Sequence, residues 1–197
     1  MNFDRYLESI KLAGSHAKGT ALRDSDYDLF LTYSPNAPGP LSAIQQSLAD
    51  SFHGRIRNVS VRIDYKGLSV DLVPSSNNRL WQSRFNTWLE TDIEKQIRYV
   101  RDSGLIDEIL ALKIWRRRHA LRFPSFLMEL ATIRAEPRNF RDVLHFLATR
   151  FPTARLLDPG NSNNVVSDLL TAVERLRIAR RAEMSLGVPF PKPPDHP

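Results

Sequence analysis

Cysteine is absent from the 197 residues, which removes disulfides, thiolate catalysis and cysteine-ligated zinc together. A reducing cytoplasm suits such a chain. No run approaches the about 20 apolar residues that span a bilayer, so no membrane partner is expected. The opening Met1-Asn2-Phe3-Asp4-Arg5 lacks the basic leader and apolar core of a secretory signal. Histidine is sparse: His53, His119 and His145 are scattered without metal-ligand spacing, and His196 falls near the C-terminus. No Ser-His-Asp arrangement follows from that pattern, and no internal repeat is present.

What is present fits a soluble globular protein. The hydrophobic fraction is 42%, an ordinary value, and the length suffices to bury a core in one domain or two joined lobes. The net charge of +6 suits polyanionic partners, nucleoside triphosphates or nucleic acid, although a basic surface also simply keeps a protein soluble.

The first third reads as strands and turns. Ile10 to Ala13 is a short apolar run that ends at Gly14-Ser15. Tyr27 to Tyr33 alternates, with Asp26, Asp28, Phe30 and Thr32 on one face and Tyr27, Leu29, Leu31 and Tyr33 on the other. Residues 34–40, with three prolines and a glycine, form a loop. Leu41 to Phe52 has helical spacing, Val59-Val61-Ile63 alternates as a strand, and Lys66-Gly67 turns the chain into a partner strand from Leu68 to Val73. After Asn78 the pattern becomes helical, in segments 91–101, 105–121, 125–134, 140–151 and 165–185, punctuated by Pro137, Pro152 and Pro159. The expected fold is α+β: a small mixed-sheet lobe over residues 1–90, a helical lobe over 91–187, an active site in the cleft between them, and a disordered proline-rich tail over 188–197.

The chemistry concentrates in Leu12-Ala13-Gly14-Ser15-His16-Ala17-Lys18-Gly19-Thr20 and the following Ser25-Asp26-Tyr27-Asp28-Leu29. A triphosphate needs backbone N–H groups and small hydroxyls where the chain can come close, which Gly14-Ser15 leading into a helix start supplies. Two divalent cations gripping the attacking and leaving oxygens need several converging carboxylates. Asp26 and Asp28, two apart on a strand, project from the same face, and Mg²⁺ favours such hard oxygen ligands. Asp71 in Val70-Asp71-Leu72-Val73 is the candidate third carboxylate, because it interrupts an apolar strand and so needs an exposed face or a cation. Asp64, beside the Lys66-Gly67 turn, reads as a solvated hairpin residue. Taken singly, each feature has a plain explanation: a common turn, the wet face of an edge strand, or an edge guard against aggregation. Their order along one chain is what points to catalysis.

That order resembles the signature of the polymerase-beta-type nucleotidyltransferase superfamily. The wording from Gly14 to Leu29 is most similar to its oligoadenylate synthetase and bacterial cyclic-dinucleotide synthase branch, and Asp71 in Val-Asp-Leu-Val-Pro matches that branch's third metal ligand. Lys113-Ile114-Trp115, Ser125-Phe126-Leu127-Met128-Glu129-Leu130, and Asp158-Pro159 with Asn163-Asn164-Val165 extend the resemblance to about Val166. The resemblance implies two Mg²⁺ or Mn²⁺ ions on Asp26, Asp28 and Asp71, donor phosphates near Gly14, Ser15, Lys113 and Ser125, and a base stacked on Phe126. Helical spacing puts Lys113 near the middle of an arc of Ile106, Ile109, Leu110, Leu112 and Ile114, where it must snorkel outward or meet an anion. For Phe126, plain core packing is the competing explanation. Only 13 residues precede Gly14, whereas the branch carries a long N-terminal helix. The chain is then a minimal version, lacks a segment, or is completed by a partner subunit or oligomer.

The leading functional expectation is transfer of a nucleoside monophosphate from a triphosphate, ATP first among donors, to a ribose hydroxyl with release of pyrophosphate. An RNA 3′ end, as in tailing or CCA-adding relatives, is an alternative acceptor that arginines at 116–118, 134, 138, 141, 175, 177, 180 and 181 can serve. A protein side chain, as in transferases that modify a toxin, ranks below both. The non-enzymatic alternative is a nucleotide-binding module, against which the retention of three like charges argues.

Overall fold

The computed structural model describes residues 3–187; the expected tail over 188–197 lies outside them. The chain divides into two compact units, Met1–Gly104 with Asp158–Ser162, and Leu105–Leu157 with Asn163–Pro197. The boundary expected at residue 90 therefore moves to Gly104–Leu105, because the first helix after the strands packs on the sheet unit. No described helix is long and apolar enough to cross a membrane.

The first unit is built on a mixed seven-stranded sheet: β1 (Leu7–Ala13), β2 (Tyr27–Tyr33), β3 (Arg55–Ile56), β4 (Val61–Tyr65), β5 (Leu68–Ser76), β6 (Arg79–Gln82) and β7 (Thr87–Glu90). Its main order is β1-β2-β5-β4-β3, with β6 and β7 continuing from the end of β5. β2 and β5 run parallel, and their neighbours β1 and β4 flank them antiparallel. The helical reading directly after Asn78 needs correction here. Residues 79–90 form a hairpin that pairs Trp81 with Trp88, and Asn86 takes the positive φ of 50° its turn requires.

Alternation along β2 serves both faces of the sheet. Leu31 and Tyr33 pack with Leu41 and Ile44 of α2 (Leu41–Phe52) and with Val61, Val70 and Leu72. Phe30 packs on the other side with Ala13 and Leu80, against Val73, Leu89 and Ile93; Ile93 opens α3 (Ile93–Arg101), which follows α1 (Gly14–Lys18) and α2 in the helix sequence. Both faces being covered, β2 and β5 are interior strands, as parallel strands usually are.

The second unit contains α4 (Ile106–Arg118), α5 (Ser125–Ala135), α6 (Phe140–Thr149) and α7 (Ala172–Leu186). Its core gathers Leu112, Trp115, Phe123, Leu127, Met128, Leu144, Leu147, Phe151 and Ile178. Asn139 caps α6, and Thr171 with Glu174 forms a reciprocal capping box on α7. Residues 166–169 are a short 3-10 turn, so α7 begins later than the expected 165.

Candidate active site

The sheet brings the first-unit candidates together. β1 ends at Ala13, whose register partner on β2 is Asp28. The chain then reverses at Gly14, with φ of 58°, into the one-turn α1, which Gly19 closes in the left-handed conformation. A Cβ on Gly14 would stand 1.7 Å from Asp28 Oδ2, so only glycine fits where the turn meets this carboxylate. On the opposite side of β2, Asp28 is in register with Asp71 of parallel β5. In-register residues of neighbouring strands point to the same face about 4.8 Å apart. Asp26 precedes β2 by a single residue and falls on the face of Asp28. Because β2 and β5 each have neighbours on both sides, neither Asp28 nor Asp71 belongs to a solvated edge. Asp64 accepts from Gly67 N–H at 3.0 Å in an exposed turn, the hairpin role expected of it.

Arg62 ties the cluster together, and the sequence motifs do not include it. It lies on β4 opposite Asp71. Its guanidinium donates to Asp71 through Nε at 3.2 Å and Nη2 at 2.5 Å, and Nη2 also donates to Asp26. Ser60 Oγ adds a 3.2 Å bond to Asp71 Oδ1. The signal that could have marked Arg62 is the one that marks Asp71, a charge inside an apolar alternation, here Val61-Arg62-Ile63. Burial, reinforced by the negative charges of Asp71 and Asp26, pushes the Asp28 carboxyl up to about 6, while Lys18 and Arg62 pull it down.

His16 is likewise more than a bystander of the loop. Its ring stacks on Tyr27 at 4.0 Å and 7°, and its Nε2 lies 3.1 Å from the Ser25 carbonyl. Ser25 Oγ accepts from Leu22 N–H at 2.9 Å. These contacts fix the segment that delivers Asp26 to the sheet. Ser15 sits in the first turn of α1, and its carbonyl accepts from Thr20 N–H at 2.9 Å.

The donor set suits a hard divalent cation: three carboxylates on one face, one of them made reluctant to ionise by burial and by the other two, and a guanidinium already drawn in as counter-charge. As their side chains stand, no three acidic or histidine residues among the described ones are grouped to hold a metal ion.

The helical candidates fall in the second unit. Lys113 is 2% exposed, and its Nζ is 2.9 Å from Glu129 Oε1. The lysine meets an anion, the Glu129 carboxylate of α5. The expected apolar arc also shifts: Ile109 and Leu112 are fully buried, whereas Ile114 is 44% exposed. Ser125 is exposed at the start of α5, and Phe126 is partly buried against the helical core. The Asp158 block is a pin within the first unit. Asp158, 2% exposed, accepts from Gln96 Nε2 at 2.9 Å, Thr91 Oγ1 at 3.3 Å and Gly160 N–H at 2.8 Å.

The mixed sheet thus presents in-register aspartates beside a Gly-Ser turn. The chain belongs to the nucleotidyltransferase domain family, which it matches over residues 3–114. It shares its fold with CdnC of E. coli MS115-1, solved in complex with HORMA-deltaN (TM-score 0.74, 24% identity, 91% of this chain and 75% of that one). The CdnE cyclic dinucleotide synthase of Elizabethkingia meningoseptica, solved with GTP and Apcpp, aligns with a TM-score of 0.70 at 15% identity over 94% and 87% of the two chains. In sequence, the chain is 29% identical to the CCA-adding enzyme of Thermoplasma volcanium, over 86% of this chain and 45% of that enzyme. It thus spans less than half the length of that curated relative.

Proposed function

We propose that this nucleotidyltransferase moves a nucleoside monophosphate from a triphosphate, ATP the expected donor, to a ribose hydroxyl, in the manner of oligoadenylate and cyclic-dinucleotide synthases. The observation that supports this reading is the register of Asp28 with Asp71 beside Gly14. Asp26, Asp28 and Asp71 would hold two Mg²⁺ or Mn²⁺ ions. Bound there, such ions lower the cost of charge developing on the attacking and leaving oxygens. Gly14 and Ser15 would receive the donor phosphates on backbone N–H groups and the serine hydroxyl. Asp71 would accept the proton of the attacking hydroxyl as its oxygen bonds the α-phosphorus and the bond to pyrophosphate breaks. Ser125 would add a hydroxyl for the phosphates and Phe126 a face for the base. Lys113 would reach the phosphates only by leaving Glu129. A cytoplasmic setting suits the cysteine-free chain.

Incubation with each labelled triphosphate and Mg²⁺ or Mn²⁺, with products resolved by chromatography, tests the proposal. A short oligonucleotide or cyclic product with release of pyrophosphate is expected; absence of pyrophosphate with every triphosphate and acceptor rejects it. An RNA 3′ end is the second reading, supported by the similarity to a CCA-adding enzyme and by the basic charge. Extension of an RNA primer, with binding that falls steeply as salt rises, would select it.

A further inference from the structure

Arg62 spans the two carboxylates that the proposed function assigns to metal, and this inference rests on that reading. The guanidinium makes a two-nitrogen grip on Asp71 and reaches across to Asp26. Its backbone position is fixed opposite Asp71 by the β4–β5 register, so the contact is built into the sheet. The Asp71 side chain is 13% exposed and the Arg62 side chain 33%. The carboxylate is therefore largely removed from water, while the guanidinium keeps a path toward solvent. Held in this way, Asp26 and Asp71 are turned to a cation of the protein's own.

We infer that Arg62 is a resident counter-cation that competes with divalent metal for Asp26 and Asp71, so that the metal site forms by exchange. Without metal, the guanidinium stabilises carboxylates that would otherwise repel one another. When a divalent ion arrives, the same oxygens cannot satisfy both cations, and the longer, more exposed partner swings aside. The released guanidinium remains tethered one strand from Asp71, where its charge and those of the two proposed metal ions together outweigh the three carboxylates. That excess of positive charge is unfavourable until an anion enters. Metal and triphosphate are therefore expected to bind cooperatively, each raising the affinity for the other by the same factor.

The test measures Mn²⁺ binding by the loss of its free electron-paramagnetic-resonance signal, for the wild type, Arg62→Gln and Arg62→Lys, with and without a non-hydrolysable triphosphate analogue. Without nucleotide, Arg62→Gln should bind Mn²⁺ about tenfold more tightly than the wild type, the scale of losing charge-assisted hydrogen bonds. The analogue should sharpen Mn²⁺ binding less in this variant. Arg62→Lys, which keeps the charge and loses the fork, should fall between the two and serves if the glutamine variant melts early. Equal or weaker Mn²⁺ binding in both folded variants overturns the inference while leaving the metal site standing. If neither the wild type nor the variants bind Mn²⁺, the metal reading of Asp26, Asp28 and Asp71 is overturned with it.

Discussion

Asp28 and Asp71 are register partners on two adjacent parallel strands, so two like charges are held side by side by backbone hydrogen bonds that neither side chain can relax. Such an arrangement is unfavourable without a cation. Asp28→Asn removes one charge from it. The variant should lose nucleotidyl transfer by about 10³-fold or more, while its melting temperature at pH 7 in the absence of metal holds or rises. A variant that melts early and also loses activity would reassign Asp28 to folding; full activity would remove it from catalysis.

The raised carboxyl of Asp28 fixes the sign of a pH effect. Its folded value is about 6, against 3.8 for the free group, so the native state binds the extra proton between these limits. This group's contribution to stability is fully present below about 4 and is lost as pH rises through about 6. Denaturant melts of the metal-free protein from about pH 4.5 to about 7.5 should show a falling component that Asp28→Asn abolishes. An identical pH profile for the variant would place the titration elsewhere.

Gly14 carries two constraints at once, a φ of 58° and a missing Cβ whose place the Asp28 carboxylate fills. Gly14→Ala should cost about 1–3 kcal/mol through strain and displace Asp28, with kcat falling more than stability alone explains. Calorimetry and a pyrophosphate-release assay separate the two effects. Wild-type kcat in the alanine variant would mean that the turn does not position Asp28.

Lys113 and Glu129 form an ion pair whose side chains are 3% and 1% exposed. Removing either alone, by Lys113→Met or Glu129→Gln, should cost about 3–5 kcal/mol, because the buried charge that remains loses its ion-pair partner. The double variant Lys113→Met/Glu129→Leu should recover much of that loss. Its KM for triphosphate decides the lysine's role. A KM near that of the wild type leaves Lys113 as a brace between α4 and α5, whereas a large rise in a well-folded double variant returns it to the phosphates.

Much of the site is legible in the amino-acid order. Alternation sets β2 at Tyr27–Tyr33 and amphipathic spacing sets α2 at Leu41–Phe52, each matching the observed bounds. The order Gly14-Ser15, Asp26-x-Asp28, Asp71 marks the residues that the sheet gathers, because a carboxylate in an apolar strand requires a reason local to it. The hairpin over 79–90 is not legible in the same way. Its strands are four residues each, too short for a period to register, and its Trp81–Trp88 pairing is a cross-strand relation that linear spacing does not express.

The sequence alone determined which side chains are candidates for the chemistry and which short-range elements present them, since those depend on residue type and on spacings of about two and about 3.6 residues. Only the tertiary structure decided who faces whom. That Asp71 stands beside Asp28, that Arg62 binds Asp26 and Asp71, that Lys113 meets Glu129 and that Asp158 anchors to Gln96 are pairings between residues distant in the chain. Strand order and helix packing choose them, and the choice minimises the free energy of the whole fold rather than that of any one segment.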